Sequence, residues 1–141
     1  MGRLNLSTVT FLSPVTEEIK LIEERMRIQA DESHPDLRAA LEHLLSAGGK
    51  RVRPTLGLLV GNMLGAPLEK LINLGAAVEL LHTATLVHDD LIDGSLLRRG
   101  TSTLNARWSP PATVLTGDFL FARAAKLAAD TGRRILFSPA N

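Results

Sequence analysis

The chain has no cysteine, which excludes a disulfide framework, a thiolate zinc site and a thiol redox motif. Charge of one sign is missing too: 16 basic and 15 acidic side chains leave a net charge of +1. Neither a polyanion-binding surface nor an acidic tail is expected, and nucleic acid is not an expected partner. The opening stretch, MGRLNLSTVTFLSPV, lacks the charged, apolar and small-residue order of a signal peptide. Leu6 stands where a myristoylation signal wants Ser or Thr. The longest apolar region, Leu56 to Val87, is broken by Asn62, Pro67, Lys70, Glu79 and His82, short of the roughly 20 apolar residues that a membrane span needs. A soluble, cytoplasmic protein without a transmembrane segment is what these absences predict. Alternating strand patterns, internal repeats and low-complexity segments are also missing.

What is present is helix after helix. At 141 residues, 45% of them hydrophobic, the chain can bury one core, and a single domain over 1–141 is the default. Ser13 and Pro14 mark a first helix start, with Ile19, Ile22 and Met26 at helical spacing. A polar link, Asp31 to His34, leads to Pro35 and Asp36. Leu37, Ala40, Leu41, Leu44 and Leu45 then form an apolar stripe that Gly48 and Gly49 end. A third helix is predicted from Pro54 to Leu64, apolar nearly all round and therefore expected to be buried on several sides. Pro67 opens a long fourth helix that breaks at Gly94, and a loop follows over 94–107. Ser109, Pro110 and Pro111 announce a fifth helix with Val114, Leu115, Phe119, Leu120, Ala122 and Leu127 as core, and Gly132 as its stop. The predicted fold is all-α, an antiparallel helical bundle centred on the third and fourth helices.

The chemistry gathers between Glu79 and Gly100, ELLHTATLVHDDLIDGSLLRRG. At about 100° per residue, Glu79, His82, Leu86, Asp89, Asp90 and Asp93 share one arc of the fourth helix. Leu80, Leu81, Ala84, Val87 and Leu91 cover the other side and are expected in the core. Three carboxylates this close need a positive partner. Their i, i+1, i+4 spacing lets oxygens from two turns converge on a hard cation such as Mg²⁺, which also bridges to a ligand's phosphates. A solvated acidic helix end is the other reading of the same residues. Arg98 and Arg99 add forked donors suited to phosphate. Upstream, GKRVRP places Lys50, Arg51 and Arg53 beside a helix start, either a phosphate cradle or ordinary surface cations. His88 points away from the acidic arc, as a packing residue or a support to the site. Glu79 is an outer partner or a salt-bridge member, Phe119 and Phe121 are core, and Trp108 has no assigned role.

GGKRVRP at 48–54, ELLHTATLVHDDLID at 79–93, LRRG at 97–100, TLNARW at 103–108 and LTGDFLFARA at 115–124 together resemble the trans-type polyprenyl diphosphate synthases. The resemblance runs over about 16–131 and implies an all-α bundle of the isoprenoid synthase type around a deep cavity. It implies a Mg²⁺-dependent prenyltransferase that condenses an allylic diphosphate with isopentenyl diphosphate, with a medium- to long-chain product. By the same resemblance Asp89 and Asp93 hold Mg²⁺ and Asp90 supports them, all three being catalytic. Lys50, Arg53, His82 and Arg99 take the isopentenyl diphosphate, Arg98 takes the allylic diphosphate, and Ala84 and Thr85 set chain length. A homodimer or another subunit pairing is implied as well. The family's second aspartate-rich motif has no counterpart here, and Gly132 to Asn141 departs from the pattern. The chain is therefore expected to be an amino-terminal portion, truncated, of such a synthase. A non-catalytic helical interaction or diphosphate-binding module is the second expectation.

Overall fold

Acidic residues in a helix's first turn and basic ones in its last complement the helix dipole. The first helix, α1 (Thr16–Ile28), shows both, with Glu17 and Glu18 leading and Arg25 and Arg27 closing, and it buries Ile22 and Met26. The computed structural model describes residues 15–30 and 34–136; the predicted Ser13–Pro14 start and most of the Asp31–His34 link lie outside them. His34 caps α2 (Pro35–Ser46) by accepting from the Asp36 amide at 3.3 Å. Ala40, Leu41 and Leu45 are buried along its inner face.

The third helix differs from expectation in two ways. It begins at Val52, not Pro54, and α3 (Val52–Met63) takes Arg51 as a left-handed N-cap with φ 51°. Pro54 sits inside the first turn, where helix amides have no intrahelical acceptor, so its missing N–H costs nothing there. Nor is α3 buried all round: Pro54, Thr55, Leu58 and Gly61 face inward, while Leu56, Val60 and Met63 are about half to mostly exposed. Among the described residues it packs on α1 and α4 along one side only.

The centre of the bundle is α4 (Leu68–Asp93), which lies against α1, α3 and α6. Close approach is built in at Gly75, where a Cβ would meet Ile22 Cδ1 at 2.5 Å. Gly94, with φ 66°, ends the helix, and the Ser95 amide returns to the Asp90 carbonyl at 2.9 Å. By length and composition alone α4 is apolar enough to cross a membrane, contrary to the sequence expectation, yet half of that window is buried inside the bundle.

The predicted loop over 94–107 contains a hairpin and a helical turn. β1 (Leu97–Arg98) and β2 (Thr101–Ser102) pair antiparallel, Leu97 opposite Ser102 and Arg98 opposite Thr101. Arg99 and Gly100 both have positive φ, 52° and 78°, as a tight two-residue turn between strands requires. Thr103 then accepts from the Ala106 amide and starts α5 (Leu104–Arg107).

The last helix, α6 (Pro110–Leu136), starts at Ser109, whose hydroxyl accepts from the Ala112 amide at 3.3 Å. It runs through Gly132, the predicted stop, because one glycine costs a helix only about 1 kcal/mol. Leu120 and Leu127 are buried as expected, but Val114, Leu115 and Ala122 are exposed and Phe119 is half-buried. The face that meets α4 is made instead by Thr113, Thr116, Gly117, Leu120, Ala124 and Leu127. The two threonine hydroxyls are satisfied on their own helix, at the Ser109 and Ala112 carbonyls.

Candidate functional site

A cavity of about 330 Å³ opens where the end of α2, the 47–51 connection with the first turn of α3, the inner face of α4 and the hairpin meet. Lys50, Arg53, His82, Arg98 and Arg99 all line it, together with Asp90. Lysine and arginine outnumber carboxylates in its wall by five to two, and both carboxylates are already engaged. The remaining positive charge favours an anion. A larger hollow, about 540 Å³, lies between the α2 start and α6, walled by Leu37, Trp108, Leu115 and Phe119, and carries no such cation cluster.

The neighbouring cations at 50, 51 and 53 have different tasks. Arg51 turns inward, its side chain only 10% exposed, with Nη1 3.3 Å from Glu79 Oε1 and Nε 3.1 Å from Glu23 Oε1. It ties the connection to α1 and α4 and leaves Lys50 and Arg53 exposed at the cavity. Arg53 Nη1 stands 3.3 Å from His82 Nε2. A guanidinium only donates, so Nε2 accepts and the His82 proton is on Nδ1.

Burial first, then the charges of Arg53, Arg98 and Arg99, against the pull of Glu79, hold His82 below histidine's ordinary 6.5. The folded chain therefore keeps His82 neutral while the unfolded chain protonates it first on acidification. This contribution to stability is complete above about pH 6.5 and is lost as the pH falls towards the lower folded value. Accordingly, urea midpoints compared at about pH 7.5 and 5.5 are expected to drop less in His82→Asn than in the unsubstituted chain. An equal drop in both would exclude His82 as the source.

The acidic arc is split rather than uniform. Glu79 and Asp90 are buried, whereas Asp89 and Asp93 are exposed and do not line the cavity. Asp90 accepts a fork from Arg98, with Nη2 to Oδ1 at 2.8 Å and Nε to Oδ2 at 3.0 Å. That hydrogen bond, helped by the charges of Asp90, Asp89 and Asp93, raises the already high Arg98 pKa further, so Arg98 stays cationic. Asp90 is thus engaged by Arg98, unlike Asp89 and Asp93, and among the described residues no group of three His, Asp or Glu stands together as a metal-binding set. On the apolar side Leu80, Ala84 and Val87 are buried, but Leu81 is 45% exposed and Leu91 only half-buried. Ala84 sits in the core cluster with Leu80 and Leu120, and the Thr85 hydroxyl bonds the His82 carbonyl at 2.6 Å. Neither lines the cation-walled cavity.

The family model for polyprenyl synthetase matches residues 34–138. The chain belongs to this family. It is 40% identical over 118 residues to heptaprenyl diphosphate synthase component 2 of Geobacillus stearothermophilus, covering 84% of this chain and 37% of that protein. Among solved structures, the decaprenyl diphosphate synthase of Rhodobacter capsulatus superposes with a TM-score of 0.82 at 36% identity, covering 93% of this chain and 41% of that one. The polyprenyl synthase of Caulobacter crescentus, solved with calcium and isoprenyl diphosphate, superposes with a TM-score of 0.84 at 37% identity, covering 93% and 40%. The chain thus spans about two fifths of the length of these relatives, and its helices are those of isoprenoid synthase structures.

Within this polyprenyl synthetase frame, sequence reasoning missed the residues that place the others. The sequence groups Arg51 with its neighbours, since nothing in GKRVRP distinguishes an inward cation from an outward one. No motif marks His43, yet it lines the cavity, with Nε2 2.7 Å from the Ser102 carbonyl and Nδ1 3.0 Å from Arg107 Nη1. His88 lies between α4 and α6, Nε2 3.2 Å from the Val114 carbonyl and 3.4 Å from Asp118 Oδ1, its ring against Phe121.

Proposed function

We propose that the chain supplies the diphosphate-binding part of a Mg²⁺-dependent prenyltransferase that joins an allylic diphosphate to isopentenyl diphosphate. The observation that carries this reading is the gathering of Lys50, Arg53, His82, Arg98 and Arg99 on one cavity from three separate parts of the chain. In this assignment Lys50, Arg53, Arg99 and His82 hold the isopentenyl diphosphate. Arg98, braced by Asp90, faces the allylic one, and its fixed charge is set where negative charge develops as diphosphate departs. The C–O bond of the allylic substrate breaks with its electrons going to diphosphate; the isopentenyl double bond then forms the new C–C bond and a proton is lost.

Asp89 and Asp93 fit a magnesium ion as exposed carboxylates one helical turn apart. Such an ion takes one or two carboxylates and completes its shell with water and phosphate oxygens, so a third protein ligand is not required. When bound it would neutralise diphosphate charge. The Caulobacter relative, solved in complex with calcium and isoprenyl diphosphate, supports a divalent ion as part of this reading. Ala84 and Thr85 are assigned to product length, as small residues that admit a longer chain. Cytoplasmic location and pairing of subunits belong to the same proposal.

Calorimetric titration of the chain with isopentenyl diphosphate tests the cavity directly. Saturable binding is expected, weakened about tenfold or more in Arg53→Ala through loss of a charge-assisted hydrogen bond. Absence of binding, or an affinity that ignores Arg53, would remove the cavity from consideration.

A further inference from the structure

The hairpin that carries Arg98 and Arg99 has only two residues in each strand, too few to hold its own shape in water. One side is anchored to the end of α4: Arg98 forks onto Asp90, the Thr103 hydroxyl donates to the Ser95 carbonyl at 2.7 Å, and Asn105 donates to the same carbonyl at 3.0 Å. The opposite side faces α2, whose last turn runs into the connection bearing Lys50 and, just beyond it, the first turn of α3 with Arg53. His43 crosses that gap.

The two ring contacts define its state. At 2.7 Å from a carbonyl, Nε2 must carry the proton, and Nδ1, 3.0 Å from the Arg107 guanidinium, must accept. Arg107 therefore fixes the tautomer that lets His43 hold Ser102. Ser102 is paired with Leu97, and Thr101 with Arg98, so the ring restrains the strand opposite Arg98 and, through it, the turn that carries Arg99. Leu104, next along the chain, packs with Ala40, Leu44 and Val87 and brings the same two parts together without direction. The hydrogen bond adds the direction.

We propose that His43 is a positioning residue for the diphosphate cavity: it locks β2 to α2 through the Ser102 carbonyl, so that Arg98 and Arg99 stand opposite Lys50 and Arg53. The inference rests on the diphosphate reading above and assigns to His43 no contact with substrate.

The test uses inorganic diphosphate and the full chain. His43→Leu, which removes the donor, is expected to raise Kd about threefold to tenfold, the effect of about one lost hydrogen bond. His43→Gln, whose amide donates to the same carbonyl, is expected to stay within about twofold by the same reasoning. In an Arg98→Ala, Arg99→Ala background the His43→Leu effect should vanish, because the residues through which it acts are gone. Hydrogen exchange of the 97–103 amides should quicken in His43→Leu and not in His43→Gln. Unchanged affinity and exchange in His43→Leu overturn the inference, as does an affinity loss that persists in the double-alanine background. Failure of the unsubstituted chain to bind diphosphate overturns the diphosphate reading instead, and faster hairpin exchange in His43→Leu then still reports the lock.

Discussion

Fused to a relative's carboxy-terminal part, the chain is expected to lose turnover by about 10²–10³-fold on Asp89→Ala if the proposed metal role holds, the usual loss when a group that stabilises developing charge is removed. The three aspartates should not behave alike. Asp89 and Asp93 are exposed, so their substitution should shift folding stability by no more than about 0.5 kcal/mol while abolishing the magnesium dependence of binding. Asp90 is buried beneath Arg98. Asp90→Ala leaves a guanidinium without its fork, at a stability cost of about 1–3 kcal/mol, and weakens diphosphate binding even in EDTA. Steady-state rates, unfolding curves and titrations with and without metal distinguish the two patterns. Identical behaviour of Asp89→Ala and Asp90→Ala would contradict the split seen along α4.

The largest stability effect is expected at Arg51. Its pairing with Glu79 has both side chains at most 10% exposed, and removing one member of a buried pair typically costs about 3–5 kcal/mol because the other is left charged and unsolvated. Arg51→Met should therefore destabilise by about that amount, even though the residue sits in a connection and has a left-handed backbone that costs about 1 kcal/mol or more. Adding Glu79→Leu should recover much of the loss, since well-packed apolar residues often replace a buried ion pair without penalty. Urea unfolding of the single and double variants decides it: a single variant within about 1 kcal/mol of the parent would mean that the pair is effectively solvated.

What could be read in advance divides by the range of the interactions involved. Pro35, Gly48, Pro67, Gly94 and the Ser109–Pro110 pair act on their own backbone, so the bounds of α2, α4 and the start of α6 follow from local chemistry. The hairpin at 97–102 was illegible because two-residue strands offer no alternation. Gly132 misled because its local cost is small beside a helix's other interactions. Lys50, Arg53, Arg98 and Arg99, which the motifs single out, line one cavity, but the inward turn of Arg51 depends on Glu79, 28 residues away, and spacing contains no trace of it. The exposed side of α3 shows the same limit: an apolar sequence reports a preference for burial, not which neighbours are there to provide it.

A Cβ at Gly117 would meet the His88 ring at 2.2 Å, so the imidazole occupies a notch in α6 that only glycine leaves open. A side chain seated in a notch resists sliding along the axis as well as separation. His88 is therefore a register pin between α4 and α6, and because Asp89 is the very next residue, the pin sets how far along the bundle the carboxylates stand. The height of the turn that bears Asp89 and Asp93 is thus set by a glycine on another helix.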